Sequence, residues 1–135
     1  MTTTVQKVAM VFGVVFLLIA IAGFISPGGM VMTVEPPGML LGMFPINVLH
    51  NVVHLLFGIW GIAAARTWSG AKTYAQVGGV IYLILALCGF FVPNGFNLVP
   101  LGGSDIWLHA LLGLILAIVG FTAKAETVTT TTTTV

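Results

Sequence analysis

The residues that could do chemistry interrupt two otherwise apolar stretches of the sequence. His50 and His54 lie four residues apart, and Asp105 and His109 repeat that spacing further along the chain. Residues four apart lie one above the other on the same face of an α-helix. Three imidazoles and a carboxylate are donors that suit zinc, iron or copper. The sequence therefore offers His50, His54, Asp105 and His109 as candidate metal ligands.

The same histidines allow other roles. His54 and His109 could supply two axial ligands to one haem, or a single histidine could ligate a chlorophyll-type pigment. In the plainer interpretation, the neutral histidines and Asn51 hydrogen-bond between helices and hold them together. A proton path or a solute channel is less favoured, because residues 55–65 and 110–121 offer almost no polar groups to continue it.

The composition places these side chains in a membrane protein. Of the 135 residues, 59% are hydrophobic and only 5% are charged, whereas a soluble domain carries about 25% charged residues. This balance excludes an ordinary globular protein, a disordered chain and a nucleic-acid binder. The carboxylates are only three, Glu35, Asp105 and Glu126, and neither a phosphate-binding loop nor a nucleophile elbow is present. We therefore expect no enzymatic activity.

Four apolar stretches predict four membrane-spanning helices, at about residues 8–25, 46–65, 75–92 and 105–123. Each has about 18–20 residues, enough at about 1.5 Å per residue to cross a hydrocarbon core of about 30 Å. The predicted fold is all-α, a polytopic membrane protein forming an antiparallel four-helix transmembrane bundle over residues 1–126. The threonine-rich segment 127–135 is predicted to be a flexible tail.

An internal repeat indicates how the bundle is built. Segment 23–27 matches segment 89–93 at a shift of 66 residues, and segment 54–58 matches segment 109–113 at a shift of 55. The matched proline and histidine favour a duplication of one helical hairpin. Under this alignment His54 corresponds to His109, and His50 corresponds to Asp105. The two predicted repeats cover about residues 6–66 and 72–123.

The basic residues predict the orientation of the chain. They are Lys7, Arg66, Lys72 and Lys124, and the connections at 26–45 and 93–104 contain none. Because cytoplasmic loops are enriched in lysine and arginine, we expect both termini and the connection 66–74 in the cytoplasm. The candidate ligands then lie in the outer half of the membrane. The expected partners are the lipid bilayer and other membrane subunits, and not nucleic acid.

The run 47–61 and the later motif Asp105-Ile106-Trp107-Leu108-His109 resemble a bacterial family of small four-span membrane proteins, termed domain of unknown function 4383. The resemblance covers about residues 5–123 and implies a bacterial plasma (inner) membrane protein without an established activity. The leading prediction is a non-enzymatic structural or accessory subunit. The alternatives are a tetrapyrrole- or metal-binding redox or pigment protein, and a small-solute or ion transporter.

Overall fold

The computed structural model describes residues 3–125, which are mostly helical. The predicted tail 127–135 lies outside the described residues. Two short strands pair in an antiparallel hairpin, with Met39 opposite Pro45. In chain order the elements are α1 (Thr4–Ile25), β1 (Gly38–Leu40), β2 (Phe44–Ile46), α2 (Val48–Ala64), α3 (Trp68–Phe91), α4 (Gly95–Leu98) and α5 (Ser104–Thr122).

The long helices coincide with the four apolar stretches. Within residues 3–125, α1, α3 and α5 are long and apolar enough to cross a membrane, and α2 is a shorter apolar helix of 17 residues. The all-α prediction missed the hairpin β1–β2. Its strands have three residues each, and Pro45 interrupts β2, so the sequence shows no alternation there from which a strand could be recognised.

The predicted start of the third span was wrong, because α3 begins at Trp68 and not at residue 75. The Thr67 side chain accepts a hydrogen bond of 3.0 Å from the amide of Gly70, which satisfies one of the free amides at the helix start. Lys72 therefore belongs to α3 and not to a connection at 66–74. The first turn of α3 contains polar residues, so the length of the apolar stretch alone does not reveal where this helix begins.

The helices approach each other through small residues. α1 packs mainly against α2, and α3 packs mainly against α5. A Cβ atom added to Gly13 would lie 2.6 Å from the backbone nitrogen of Ile62, and one added to Gly79 would lie 2.5 Å from that of Ala117. These backbones are therefore in direct contact. Such contact is the usual basis of helix association in lipid, where apolar side chains gain nothing from leaving water.

The two ends of the helices differ in composition. At the end that carries the basic residues, here called the basic end, the Gln6 amide donates to the carbonyl of Ala65 and the Lys72 ammonium donates to that of Ala123, both at 3.1 Å. A tight apolar core lies beside this end. The opposite end carries β1, β2 and α4 and is here called the hairpin end. The core residues are Val5, Ala9, Ala64, Ala65, Ala71, Tyr74, Ala75 and Leu116.

Candidate functional site

The candidate ligands lie in the first turns of α2 and α5, at the hairpin end. Asn47 caps α2, and its side-chain oxygen accepts a hydrogen bond of 2.9 Å from the amide of His50. The side-chain nitrogen of Asn47 donates to the carbonyl of Leu98 at 2.8 Å. One buried asparagine therefore fixes the start of α2 and joins it to the segment that leads into α5. This arrangement sets the position of His50 relative to α5.

The three histidines converge between the two helices. One ring nitrogen from each of His50, His54 and His109 can be chosen so that all three atoms lie within 4.8 Å of one another. The ring centres of His50 and His54 are 4.5 Å apart, and those of His50 and His109 are 5.9 Å apart. The three side chains are buried, with exposures of 3%, 8% and 3%. The spacing of the sequence thus identified side chains that the fold brings together.

Asp105 lies beside the three histidines, and these four residues are here called the histidine cluster. The Oδ2 atom of Asp105 lies 3.7 Å from Nδ1 of His50, and both side chains are buried. The carboxylate therefore contacts a histidine of α2, although the spacing of four in the sequence places Asp105 on the same helix face as His109. The fourth candidate ligand is present at the site, in contact with a different histidine.

Several polar atoms of this cluster have no hydrogen-bond partner. Among residues 3–125, the buried atoms without a hydrogen bond include Nδ1 of His50, His54 and His109, and Oδ2 of Asp105. Asn51 donates from its side-chain nitrogen to the carbonyl of Gly29 at 2.9 Å, while its side-chain oxygen is also without a partner. The sequence predicted that the histidines and Asn51 link separate segments through hydrogen bonds. In the structure, Asn51 and Asn47 make such bonds. The buried nitrogens of the histidines are left available.

Two aromatic residues close the cluster on the side of the basic end. The ring of Phe16 stacks on His54 at 5.6 Å with an angle of 15°, and Tyr82 meets His109 edge-on at 5.2 Å. Phe16 and Tyr82 also stack on each other at 5.3 Å. Neither was predicted as a site residue. Their matched places in the two predicted repeats, 66 residues apart, were the signal that could have indicated a shared position.

A cavity of about 250 Å³ adjoins the cluster. The histidines and Asp105 form its polar wall, and the remaining wall is apolar. That apolar wall comes from α1, from the hairpin and the residues around it, and from α5. The lining residues are Phe16, Ile19, Leu40, Leu41, Phe44, Ile46, His50, His54, Asp105, Leu108, His109 and Leu112.

Comparison with known proteins identifies the family. The sequence profile described as domain of unknown function (DUF4383) matches residues 6–122, from the first turn of α1 to the end of α5. The chain belongs to this family. The match confirms the resemblance drawn from the motifs of α2 and α5. No curated protein and no solved structure matches the chain. The family description names no activity, so the geometry and chemistry of the site are the basis for inferring a function.

Proposed function

We propose that this member of the DUF4383 family is a non-enzymatic, multi-pass membrane protein that binds one transition-metal ion. The ion would be held by His50, His54 and His109, with Asp105 as a fourth ligand or as the group that orients His50. The observation that carries the proposal is the convergence of three buried imidazoles whose Nδ1 atoms have no hydrogen-bond partner. An accessory role within a larger membrane assembly is compatible with this site.

Energetics favour a ligand at this position. Leaving a buried polar group without a partner costs about 1–3 kcal/mol, and four such atoms meet here. A tetrahedral ion with bonds of about 2.0–2.1 Å to nitrogen needs its donor atoms about 3.3 Å apart. The ring nitrogens already lie within 4.8 Å, so small rotations of the side chains would bring them to that distance. Coordination through Nδ1 would then satisfy the three unpartnered nitrogens together.

The geometry favours a single ion over a tetrapyrrole. If His54 and His109 ligated a haem from its two faces, a nitrogen of His50 within 4.8 Å of both would fall inside the macrocycle. The adjoining cavity of about 250 Å³ is also smaller than the roughly 300–1,000 Å³ of pockets that hold drug-sized molecules. Imidazole and carboxylate donors suit zinc, copper and iron alike.

We also propose that the four helices form an antiparallel bundle of two repeated hairpins. Matching residues make matching contacts in support of this. The close approach of Gly13 to Ile62 corresponds to that of Gly79 to Ala117 at the two shifts of 66 and 55 residues. In the same way, a Cβ on Gly58 would meet Leu17, and a Cβ on Gly113 would meet Leu83. The metal would then lie where the two hairpins meet.

The proposed setting is the plasma membrane of a bacterium, with both termini in the cytoplasm. The basic residues gather at one end of the helices, which the positive-inside rule assigns to the cytoplasm. The histidine cluster, near the opposite end, would lie in the outer half of the membrane. A transporter has less support, because the helices between the cluster and the basic end are closed by a core of alanine, leucine and tyrosine side chains.

Metal analysis tests the proposal directly. The protein, purified in mild detergent, is incubated with Zn²⁺, Co²⁺ or Cu²⁺, desalted, and examined by elemental analysis and visible absorption. We expect about one ion per chain. His54→Ala and His109→Ala should each weaken binding by more than about 100-fold, because changes to groups that merely support a ligand already cost about 10–100-fold.

Tyr82→Phe is the matched control, since Tyr82 contacts His109 but is not a proposed ligand. This variant should bind metal as the unmodified protein does. A folded protein that binds none of the three ions would overturn the proposal, as would histidine variants that retain full binding. A strong visible band in protein taken from its native membrane would identify a tetrapyrrole instead.

A further inference from the structure

The cavity beside the histidine cluster lies at a depth where the helices face lipid. Leu112 lines it eight residues after Ser104, the start of α5, which is about 12 Å along the helix axis. Ile19 lines it six residues before Ile25, the end of α1, which is about 9 Å from that end. Both side chains are half-buried, so each is partly exposed on the surface of its helix. α1 and α5 pack against each other only lightly.

The cavity has one polar wall, and its other walls are apolar. Its polar groups are the candidate metal ligands themselves, whereas Phe16, Leu40 and Leu108 contribute only apolar surface. Three histidines also leave coordination positions free, because zinc and copper take four or more ligands. An ion held by the three histidines alone would therefore present a free position to an apolar space.

We propose that this position takes a small, uncharged donor molecule that reaches the metal from the lipid phase, between α1 and α5. The inference rests on the proposed metal site and names the class of ligand that the site accepts. The molecule carries a nitrogen or oxygen donor on a body no larger than a single ring, because the cavity has a volume of about 250 Å³. It carries no net charge, because it approaches through hydrocarbon, where an ionised group is costly even if the charge of the metal ion attracts it.

The carboxylate of Asp105 adds a second point of recognition. Its Oδ2 atom is buried and makes no hydrogen bond, and Asp105 itself lines the cavity. An N–H or O–H group on the bound molecule could donate to it. The preferred ligand is therefore a neutral ring with one atom that coordinates the metal and one neighbouring group that donates a hydrogen bond.

Cobalt substitution provides the test, since the visible spectrum of Co²⁺ reports its ligands. The Co²⁺-loaded protein in lipid nanodiscs is titrated with pyridine, which is neutral, and with thiocyanate, which is an anion. We expect pyridine to change the cobalt bands with a saturable dependence, and thiocyanate to change them at least about tenfold more slowly at equal concentration, because an anion enters hydrocarbon at a high cost. An equal rate for thiocyanate would overturn the proposed entry of uncharged ligands from the lipid phase.

Leu112→Trp tests the route by filling the cavity, and Leu111→Trp is its control. Leu111 is the adjacent residue and is 56% exposed on the outer surface of α5. We expect Leu112→Trp to weaken pyridine binding at least about tenfold at unchanged cobalt content, and Leu111→Trp to leave it unaltered. Ile19→Phe, with Leu18→Phe as its control, repeats the comparison on α1 in case the first variant fails to fold.

The outcomes separate the two proposals. A protein that binds no cobalt overturns the metal site, and with it this inference. A protein that binds cobalt but shows no spectral change with pyridine retains the metal site and has no open position, which overturns this inference alone. Pyridine binding that neither Leu112→Trp nor Ile19→Phe weakens overturns the route between α1 and α5.

Discussion

The two ends of the helices differ in the size, polarity and packing of their buried side chains. Near the basic end, small residues let backbones touch, and the side chains of Tyr74 and Leu116 are fully buried, with the hydroxyl of Tyr74 as an isolated polar atom without a hydrogen-bond partner. At the hairpin end, large polar side chains meet beside a cavity of about 250 Å³, and several of their atoms lack hydrogen-bond partners. The first region stabilises the association of the helices, and the second has features that lower stability unless a ligand satisfies them. This contrast is why we assign the function to the hairpin end.

Metal addition should have the largest effect on this contrast. Zinc at 1,000 times its dissociation constant stabilises a folded protein by about 4.1 kcal/mol, because it binds the folded form only. We expect a stabilisation of this order in thermal unfolding measured in detergent, and its loss on adding a chelator. His54→Ala serves as the control and, with binding weakened more than about 100-fold, should retain less than about 1.4 kcal/mol of this stabilisation. An equal shift in both proteins would indicate metal binding elsewhere on the chain.

Two adjacent glycines test the packing near the basic end. A methyl group on Gly79 would lie 2.5 Å from the backbone nitrogen of Ala117, whereas one on Gly78 would have its nearest neighbour at 3.4 Å, a side-chain atom of Leu116. Gly79→Ala should therefore lower the free energy of unfolding by about 1–3 kcal/mol, as overpacking does. Gly78→Ala should have little effect. Unfolding curves in detergent compare the two variants. Equal effects would show that α3 and α5 can move apart at Gly79 without loss of stability.

Asn51 should give the smallest effect and sharpen the distinction between bridging and ligand-binding side chains. Asn51→Leu removes the hydrogen bond to the carbonyl of Gly29. Interhelical hydrogen bonds in a membrane protein average about 0.6 kcal/mol, so the melting temperature should fall only slightly. The metal content should stay unchanged. A loss of metal in this variant would mean that Asn51 positions the histidines, contrary to the division of roles described above.

The sequence predicted the helices better than the segments between them. Apolar length and the spacing of four were sufficient to find the long helices and to place His50 with His54, and Asp105 with His109, on one face of a helix. The structure buries all four side chains. The start of α3 and the hairpin β1–β2 were missed, because a cap by Thr67 and strands of three residues leave no periodic signal. The contact between Asp105 and His50 depends on how α2 and α5 lie relative to each other. The spacing of residues within one helix carries no information about that arrangement.

The pairing of His50 with Asp105 also bears on how such a chain could have evolved. Under the proposed duplication these residues hold matching positions of the two hairpins, and they lie 3.7 Å apart. In a symmetric dimer of identical hairpins, a residue close to the two-fold axis faces its own copy, so it would meet a second histidine or a second aspartate. Joining both hairpins in one gene frees the two positions to diverge. A mixed imidazole–carboxylate pair at the axis is then available, which no homodimer of the ancestral hairpin could encode.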